Sequence, residues 1–466
     1  MHVPRRWACQ ANATSADEMR GVTGSVSAEC GRRVIVTGRY PNQSPTAGRS
    51  GYAGGPLADR RSERCGGGAG VHVVMTASPP NPPSNPPNPP NPSGTPGGSG
   101  TPDPRPVGRQ ANVTILGVGQ MGLVCSMILA DPERQQSPRP GGALGLTAVP
   151  PARPKVTLCG HSTEEVGMLA QARKSDRLPQ LVLPEPVRVS LKMKDAVAEA
   201  DLIISAVPVQ YSRSVWESIR GYVPARAAVV SVAKGIENGT LLRPTQVIAE
   251  TLKDDPDRAA RPMCVLSGPT IASELARCLP ATMVAASDDA HMRKWVQELF
   301  TTRWMRIYTS PDLLGVELAG AMKNVIAIAA GILDGLQAGT NAKSALLARG
   351  LAEIARLGVA MGASSDTFFG IAGAGDLATS CFAPEGRNRS CGEALGKGRR
   401  IEDYLAQTRS VVEGVATTRS VMDLARKYRV DMPITAAVHA VLFENMDPIA
   451  AIGQLMTREP KAERVW

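Results

Sequence analysis

Lys323 stands in the run Gly315-Val-Glu-Leu-Ala-Gly-Ala-Met-Lys-Asn-Val-Ile-Ala-Ile-Ala-Ala-Gly331, where nearly every other residue is small or apolar. Helical periodicity puts Glu317, Ala321, Asn324 and Ile328 on one face, and Gly320, Lys323 and Ala327 on the next. An ammonium group desolvated there has its pKa lowered toward the range useful for proton transfer. The flanking Gly and Ala residues let a ligand or another backbone come close. A lysine on a half-buried helix more commonly snorkels to water, and on these residues alone that reading stays open.

A second chemistry resides in Gly117-Val-Gly-Gln-Met-Gly122, which follows the β-rich run Asn112–Leu116 and opens an apolar helical stretch ending at Ala130. Gly117 permits the tight turn, Gly119 lets backbone approach a pyrophosphate, and Gly122 allows close packing of helix on strand. The helix start at Gln120 and Met121 offers free N–H groups and the positive end of the helix dipole to phosphates. A Gly-rich turn in an unrelated α/β fold fits the bare pattern too, but the strand–turn–helix context favours a dinucleotide. The next strand, Lys155–Cys159, runs into Gly160-His161-Ser162 with no acid before Glu164. A carboxylate at that point would bind the ribose 2′-OH of NAD, and a neutral end tolerates the 2′-phosphate of NADP. His161 reads equally as a cofactor contact and as a solvent-exposed loop histidine.

The elements that must hold these residues are strands alternating with helices. Asp201–Val207, Ala228–Ala233, Met263–Ser267 and Thr282–Ala286 are further buried-type runs, the mark of a parallel sheet. After about Tyr308 the strand signal stops and Ala-, Gly- and Leu-rich helical stretches continue to the end. The expected architecture is α/β: a Rossmann-type doubly wound domain over 111–308, then an all-α substrate and catalytic domain over 309–466.

Residues 1–110 lack such periodicity and culminate in a Pro/Asn/Gly-rich tract from Pro79 to Pro106, whose composition predicts disorder. The short run Arg33–Thr37 could form a strand but has nothing to pair with. Three readings stand side by side: a transit peptide, which Asp17, Glu18 and Glu29 count against; a true start at Met75; and a flexible interaction tail. A second Pro/Gly-rich stretch, Pro132–Pro154, predicts a mobile surface loop.

The net charge of +10 invites a nucleic-acid reading, but 12 Arg against 6 acidic residues in 1–110 account for +6 of it. The remaining basicity suits a phosphate-binding enzyme, so neither DNA nor RNA is expected as a partner. Nine cysteines without a CxxC pair, and five histidines without ligand-like spacing, predict reduced thiols and no metal. The apolar run Val325–Leu333 is far shorter than the ~20 residues of a membrane span, and no secretory pattern opens the chain, so a cytoplasmic protein is expected.

Several motifs occur in one order: SGPT with ASE at 267–274, the helix around Lys323-Asn324, NAKSALLARGLAEIARLG, GIAGAGDLATSC, GRNRSCG and VVEGVATT. Over roughly residues 111–445 the chain resembles the NAD(P)-dependent glycerol-3-phosphate dehydrogenases of bacterial type. The resemblance implies reversible reduction of dihydroxyacetone phosphate to sn-glycerol 3-phosphate with NAD or NADP as cofactor. That product serves phospholipid synthesis, and a homodimer is implied. It makes Lys323 the proton donor and acceptor, with Asp376 beside it. Lys234, Gly268, Thr270, Arg387 and Asn388 fall on substrate positions, the last two gripping the phosphate. Ala272, Lys234, Arg387, Val411 and Glu413 fall on cofactor positions, joining Gly117, Gly119, Gln120, Met121, Gly122 and His161. The chain departs from the bacterial pattern at Gly386, where serine is common, and at Ile271, where phenylalanine is. Two competing readings remain at this point. One is a related two-domain β-hydroxyacid or opine-type dehydrogenase, which would not need the Arg387–Asn388 pair. The other is a non-catalytic nucleotide-binding scaffold, against which Lys323, Asp376 and Arg387 count.

Overall fold

A computed structural model describes residues 103–130, 153–253, 261–408, 410–460 and 462, all within one compact unit, 94–466. The expected Arg33–Thr37 strand, the extension up to residue 102 and the Pro132–Pro154 loop up to residue 152 lie outside the described residues. Residues 103–110, grouped with the extension on sequence grounds, are joined to the body of the fold. The Arg109 guanidinium reaches both carboxylate oxygens of Asp201 at 2.6 and 2.5 Å, and Arg105 pairs with Glu298.

Eight strands form one sheet in the order β3-β2-β1-β4-β5-β6-β7-β8. They are β1 (Asn112–Leu116), β2 (Lys155–Cys159), β3 (Arg188–Ser190), β4 (Leu202–Ser205), β5 (Ala228–Ser231), β6 (Met263–Ser267), β7 (Ala281–Ala286) and β8 (Met305–Ser310). The six runs expected from the sequence all form strands, and β3 and β8 are additional to them. β1 to β6 are parallel, in the doubly wound order of a dinucleotide-binding sheet. The expected parallel sheet holds through β6; β7 then pairs antiparallel to β6 and parallel to β8.

The central strands are buried on both faces, which is why they read as unbroken Val, Ile and Leu runs. Leu123, Leu129, Trp295 and Phe300 pack in one hydrophobic cluster with Val113 and Ile115. Trp216, Ile219 and Ile248 pack in another with Leu116, Ile203 and Val229. The strand order reverses between β1 and β4, and the crevice outside their C-terminal ends is the usual ligand site of such sheets.

The helical part is built around Leu313–Gly335, called here the central helix, in which every residue from Gly315 to Ile332 is buried. It is 23 residues long and holds an 18-residue window with a mean hydropathy of 1.6, so on length and composition alone it could cross a membrane, unlike the shorter Val325–Leu333 run. Its surroundings are those of a core helix: Leu357, Phe368, Val421 and Val438 pack in one cluster with Leu318, Ile326 and Ile328. Buried Glu353, on helix Gly339–Ala360, caps helix Pro433–Phe443. It accepts bonds from the Ile434 and Thr435 N–H groups at 2.9 and 2.8 Å and from the Thr435 hydroxyl at 2.7 Å.

Candidate active site

The glycines of the first turn sit in the surroundings their roles require. Gly117 has φ of +111°, and a Cβ there would lie 2.7 Å from the Ala206 carbonyl oxygen at the end of β4. At Gly122 a Cβ would meet the Gly117 carbonyl oxygen at 1.9 Å. At Gly119 it would meet nothing within 4 Å, so this edge of the turn is open to an incoming phosphate. Helix Gln120–Ala130 starts beside it and leaves its first N–H groups without intrahelical acceptors. These features fit the pyrophosphate of a dinucleotide. Gln120 turns its amide toward the Arg177 carbonyl (2.9 Å), Met121 packs on the core, and His161 is exposed at the end of β2.

The Asp376 carboxylate gathers the lysines. Oδ1 accepts from the Lys323 Nζ at 2.5 Å and Oδ2 from the Lys234 Nζ at 2.6 Å. Lys323 also donates to the Ser380 hydroxyl at 2.6 Å, and Lys234 to the Gly268 carbonyl at 3.2 Å. Lys234 follows β5, Gly268 follows β6 and Lys323 lies in the central helix, so the cluster straddles the two halves of the fold. Asp376 arrives by a π-helical turn, Ile371–Gly375, where a Cβ on Gly373 would strike the Phe368 carbonyl oxygen at 2.1 Å. Thr270 bonds back to the Gly268 carbonyl at 3.2 Å, and Ala272 begins the short helix Ala272–Leu275 beyond it.

Sequence could not sign the pKa shift of Lys323, because burial and the neighbouring carboxylate oppose each other. The structure does: burial pushes it down to about 8, Asp376 works against that, and the Lys234 ammonium adds to it. Glu413, at the start of helix Glu413–Tyr428, is raised by desolvation, with Arg387, Lys234 and Lys323 opposing.

Arg387 and Asn388 start helix Arg387–Gly396. Arg387 is exposed and donates to the Val411 carbonyl at 3.1 Å, and the Asn388 Oδ1 accepts from the Gly414 N–H at 2.9 Å. Gly386, the residue before them, supplies no side-chain cap. Arg389 is committed elsewhere, to Asp334 at 2.6 Å, which Lys343 also reaches at 2.7 Å. Two groups the sequence reading left out of the site join it here. Ser380 lies one helical turn after Asp376, a spacing visible in GDLATS but unremarkable by itself. The Asn324 side chain, next to Lys323, is buried while its amide nitrogen has no hydrogen-bond partner. Buried donors are nearly always partnered, so this one is open to an acceptor that a ligand would supply.

A doubly wound sheet with an open glycine turn, facing a buried lysine on a helical domain, defines a two-domain nicotinamide-dependent dehydrogenase. Comparison with known proteins narrows this. The N-terminal model of NAD-dependent glycerol-3-phosphate dehydrogenase matches residues 112–293, and the C-terminal model matches 312–453. A glycerol-3-phosphate dehydrogenase [NAD(P)+] from Lactobacillus delbrueckii subsp. bulgaricus is 38% identical over 76% of this chain and 99% of its own length. One from Salinibacter ruber is 41% identical over 76% and 96%. The crystal structure of glycerol-3-phosphate dehydrogenase from Coxiella burnetii superposes with a TM-score of 0.67 at 31% identity, covering 75% of this chain and 99% of that one. The chain belongs to the NAD-dependent glycerol-3-phosphate dehydrogenase family.

Proposed function

We propose that this chain reduces dihydroxyacetone phosphate to sn-glycerol 3-phosphate, reversibly, with NADH or NADPH, and that the lysine–aspartate cluster handles the proton. The observation carrying this reading is a buried Lys323 bonded to Asp376, on the same helical domain that presents Arg387 and Asn388. The bound nicotinamide supplies the hydride to C2 in reduction and takes it up in oxidation. Lys323 as ammonium polarises the carbonyl and donates to the oxygen that becomes alkoxide; as amine it accepts that proton in reverse. Asp376 and Ser380 fix its direction. Lys234 brings a second positive charge to the substrate side, and the Asn324 amide a neutral donor. Arg387 offers a planar fork to the phosphate. Lys323 and Lys234 bond Asp376, and both lysines and Arg387 are close enough to Glu413 to oppose the rise that burial gives its pKa, so cations outnumber carboxylates here and suit an anionic phosphate.

The gap at β2, where no acid precedes Glu164, leaves NADPH as acceptable as NADH. A homodimer and a cytoplasmic location belong to the same proposal and are supported by the resemblance. The direct test is a spectrophotometric assay of the purified protein with dihydroxyacetone phosphate, comparing NADH with NADPH and wild type with Arg387→Ala. The expected result is turnover in the wild type, with KM for the phosphate raised in the variant by about tenfold or more, the scale of one charge-assisted contact. An unchanged KM would remove Arg387 from the phosphate site. Cofactor binding without any turnover would overturn the activity itself.

A further inference from the structure

Glu317 lies six residues before Lys323 on the central helix, and its side chain has no surface left to water. Its Oε1 accepts from the Thr245 N–H at 2.9 Å, and its Oε2 from the Thr245 hydroxyl at 2.8 Å and from the Arg243 guanidinium. Burial raises its pKa, and those donors oppose the rise. In form this is a cap on helix Pro244–Leu252, as Glu353 is a cap on helix Pro433–Phe443.

The difference lies in where the capped segment leads. Ten residues before Thr245 the same loop begins just after Lys234, whose stem crosses the central helix at Gly320. A Cβ on Gly320 would sit 3.6 and 3.8 Å from Lys234 Cγ and Cδ. The loop is thus fastened to one helix at two points, Glu317 at one end and Gly320 with the Asp376 partner of Lys323 at the other. Between them it is bonded to neighbouring helices. Glu237 holds Arg213 at 3.0 and 2.8 Å, and the Ile236 carbonyl accepts from Gln210 at 2.8 Å and from Ser420 at 3.1 Å. These bonds also tie the middle of the loop to helices Val209–Ile219 and Glu413–Tyr428, so the place of Lys234 is set by Glu317 and Gly320 together with these anchors.

We propose that Glu317 is a positioning residue for the reaction: by holding Arg243 and Thr245 to the central helix, it sets where Lys234 meets Asp376 and hence how Asp376 holds Lys323. The proposal rests on the reading of Lys323 as proton donor. The charged and titratable groups facing Lys323 are Asp376, Lys234, Glu413 and the Cys381 thiol; those facing Glu317 are Arg243 and the Cys264 thiol. Of these, Lys234 lowers the Lys323 pKa. Releasing the loop moves that ammonium away, so the pKa should rise. In the reduction direction the ammonium is the active form, and the alkaline limb of the rate should move to higher pH.

The test compares Glu317→Ala, Glu317→Gln and Glu353→Ala in full-length protein by kcat against pH, NADPH affinity by fluorescence, and thermal melting. Glu317→Ala should lower kcat by about tenfold or more, the scale of a sub-ångström misplacement, with the limb shifted upward and NADPH affinity unchanged. Glu317→Gln keeps an acceptor for Thr245 and should restore most of the rate. Glu353→Ala should melt earlier with its limb in place. A folded Glu317→Ala with wild-type kcat and limb overturns the proposal, and so does an equal limb shift in Glu353→Ala. If Glu317→Ala fails to fold, Thr245→Val removes one donor and should give a smaller shift in the same direction; a wild-type profile there overturns it. Full turnover in Lys323→Ala would instead sink the proton-donor reading, whatever Glu317 does.

Discussion

Lys323→Ala should lose about a thousandfold or more of turnover while keeping nearly all of its affinity for NADPH, since a positioned general acid contributes about 10²–10⁴-fold. The reasoning is local. Lys323 is a buried cation whose two neighbours, Asp376 and Ser380, are acceptors, so its third proton is free for the substrate oxygen. Removing it leaves the Asp376 carboxylate bonded to Lys234, whose ammonium is held on the other carboxylate oxygen and on the Gly268 carbonyl and so does not take the place of Lys323. The pyrophosphate turn at Gly117–Gly122 joins β1 to helix Gln120–Ala130 and packs on Ala206 after β4, whereas Lys323 is bonded to Asp376 and Ser380 in the helical part. Binding and chemistry should therefore separate cleanly.

The pH dependence carries the same signature. With a pKa lowered to about 8, Lys323 is ammonium below that pH and amine above it. Reduction should fall as pH rises through about 8, and oxidation should rise through the same value. The mirror-image pair of limbs, measured as kcat in each direction, ties the effect to one group. Near-wild-type kcat in the alanine variant, or limbs that do not mirror, would make the lysine structural.

Much of this site was legible in the chain because its chemistry is contiguous. GVGQMG needs only a strand before it and a helix after it, and β1 and helix Gln120–Ala130 are local elements. The central helix announces itself by a lone lysine among Ala, Gly and Ile. What stayed hidden is what the fold brings together from afar. Lys234 donates to the Asp376 carboxylate across 142 positions, and Glu317 meets Thr245 across 72. Nothing in either local sequence asks for the other. β3 has only three residues and β8 has exposed Arg306, Tyr308 and Thr309, so neither presents the buried run that marked the inner strands. The antiparallel direction of β7 was invisible for another reason: buried strands read alike in both directions, and only the connection decides.

Gly392→Ala should damage the enzyme through backbone geometry, at a distance from any reacting atom. The central helix and helix Arg387–Gly396 each carry two glycines four residues apart, Gly331 with Gly335 and Gly392 with Gly396, and the two pairs face each other. A Cβ on Gly392 would lie 1.9 Å from the Ile328 carbonyl oxygen, and one on Gly331 would lie 1.9 Å from that of Arg389. Gly335 and Gly396 meet with Cα atoms inside the same contact zone, 2.8 and 3.0 Å from the Cβ that either would add. The obstacle in each case is main chain inside a helix, which cannot rotate aside as a side chain can. The helices must separate, and Arg387 and Asn388, at the first turn of the displaced helix, must leave the place where they face Val411 and Gly414. Overpacking a core costs about 1–3 kcal/mol, and a backbone obstacle belongs at or above the top of that range. The expected result is a melting temperature lower by several degrees and a raised KM for dihydroxyacetone phosphate, with NADPH affinity less affected. Gly453→Ala is the matched control. That glycine lies within helix Pro448–Met456 with nothing within 4 Å of an added Cβ, so alanine there should be neutral or stabilise by up to about 1 kcal/mol. Equal melting temperatures and equal KM for Gly392→Ala and wild type would show that the helices can yield, and that the glycine pairs do not set the position of the phosphate-binding arginine.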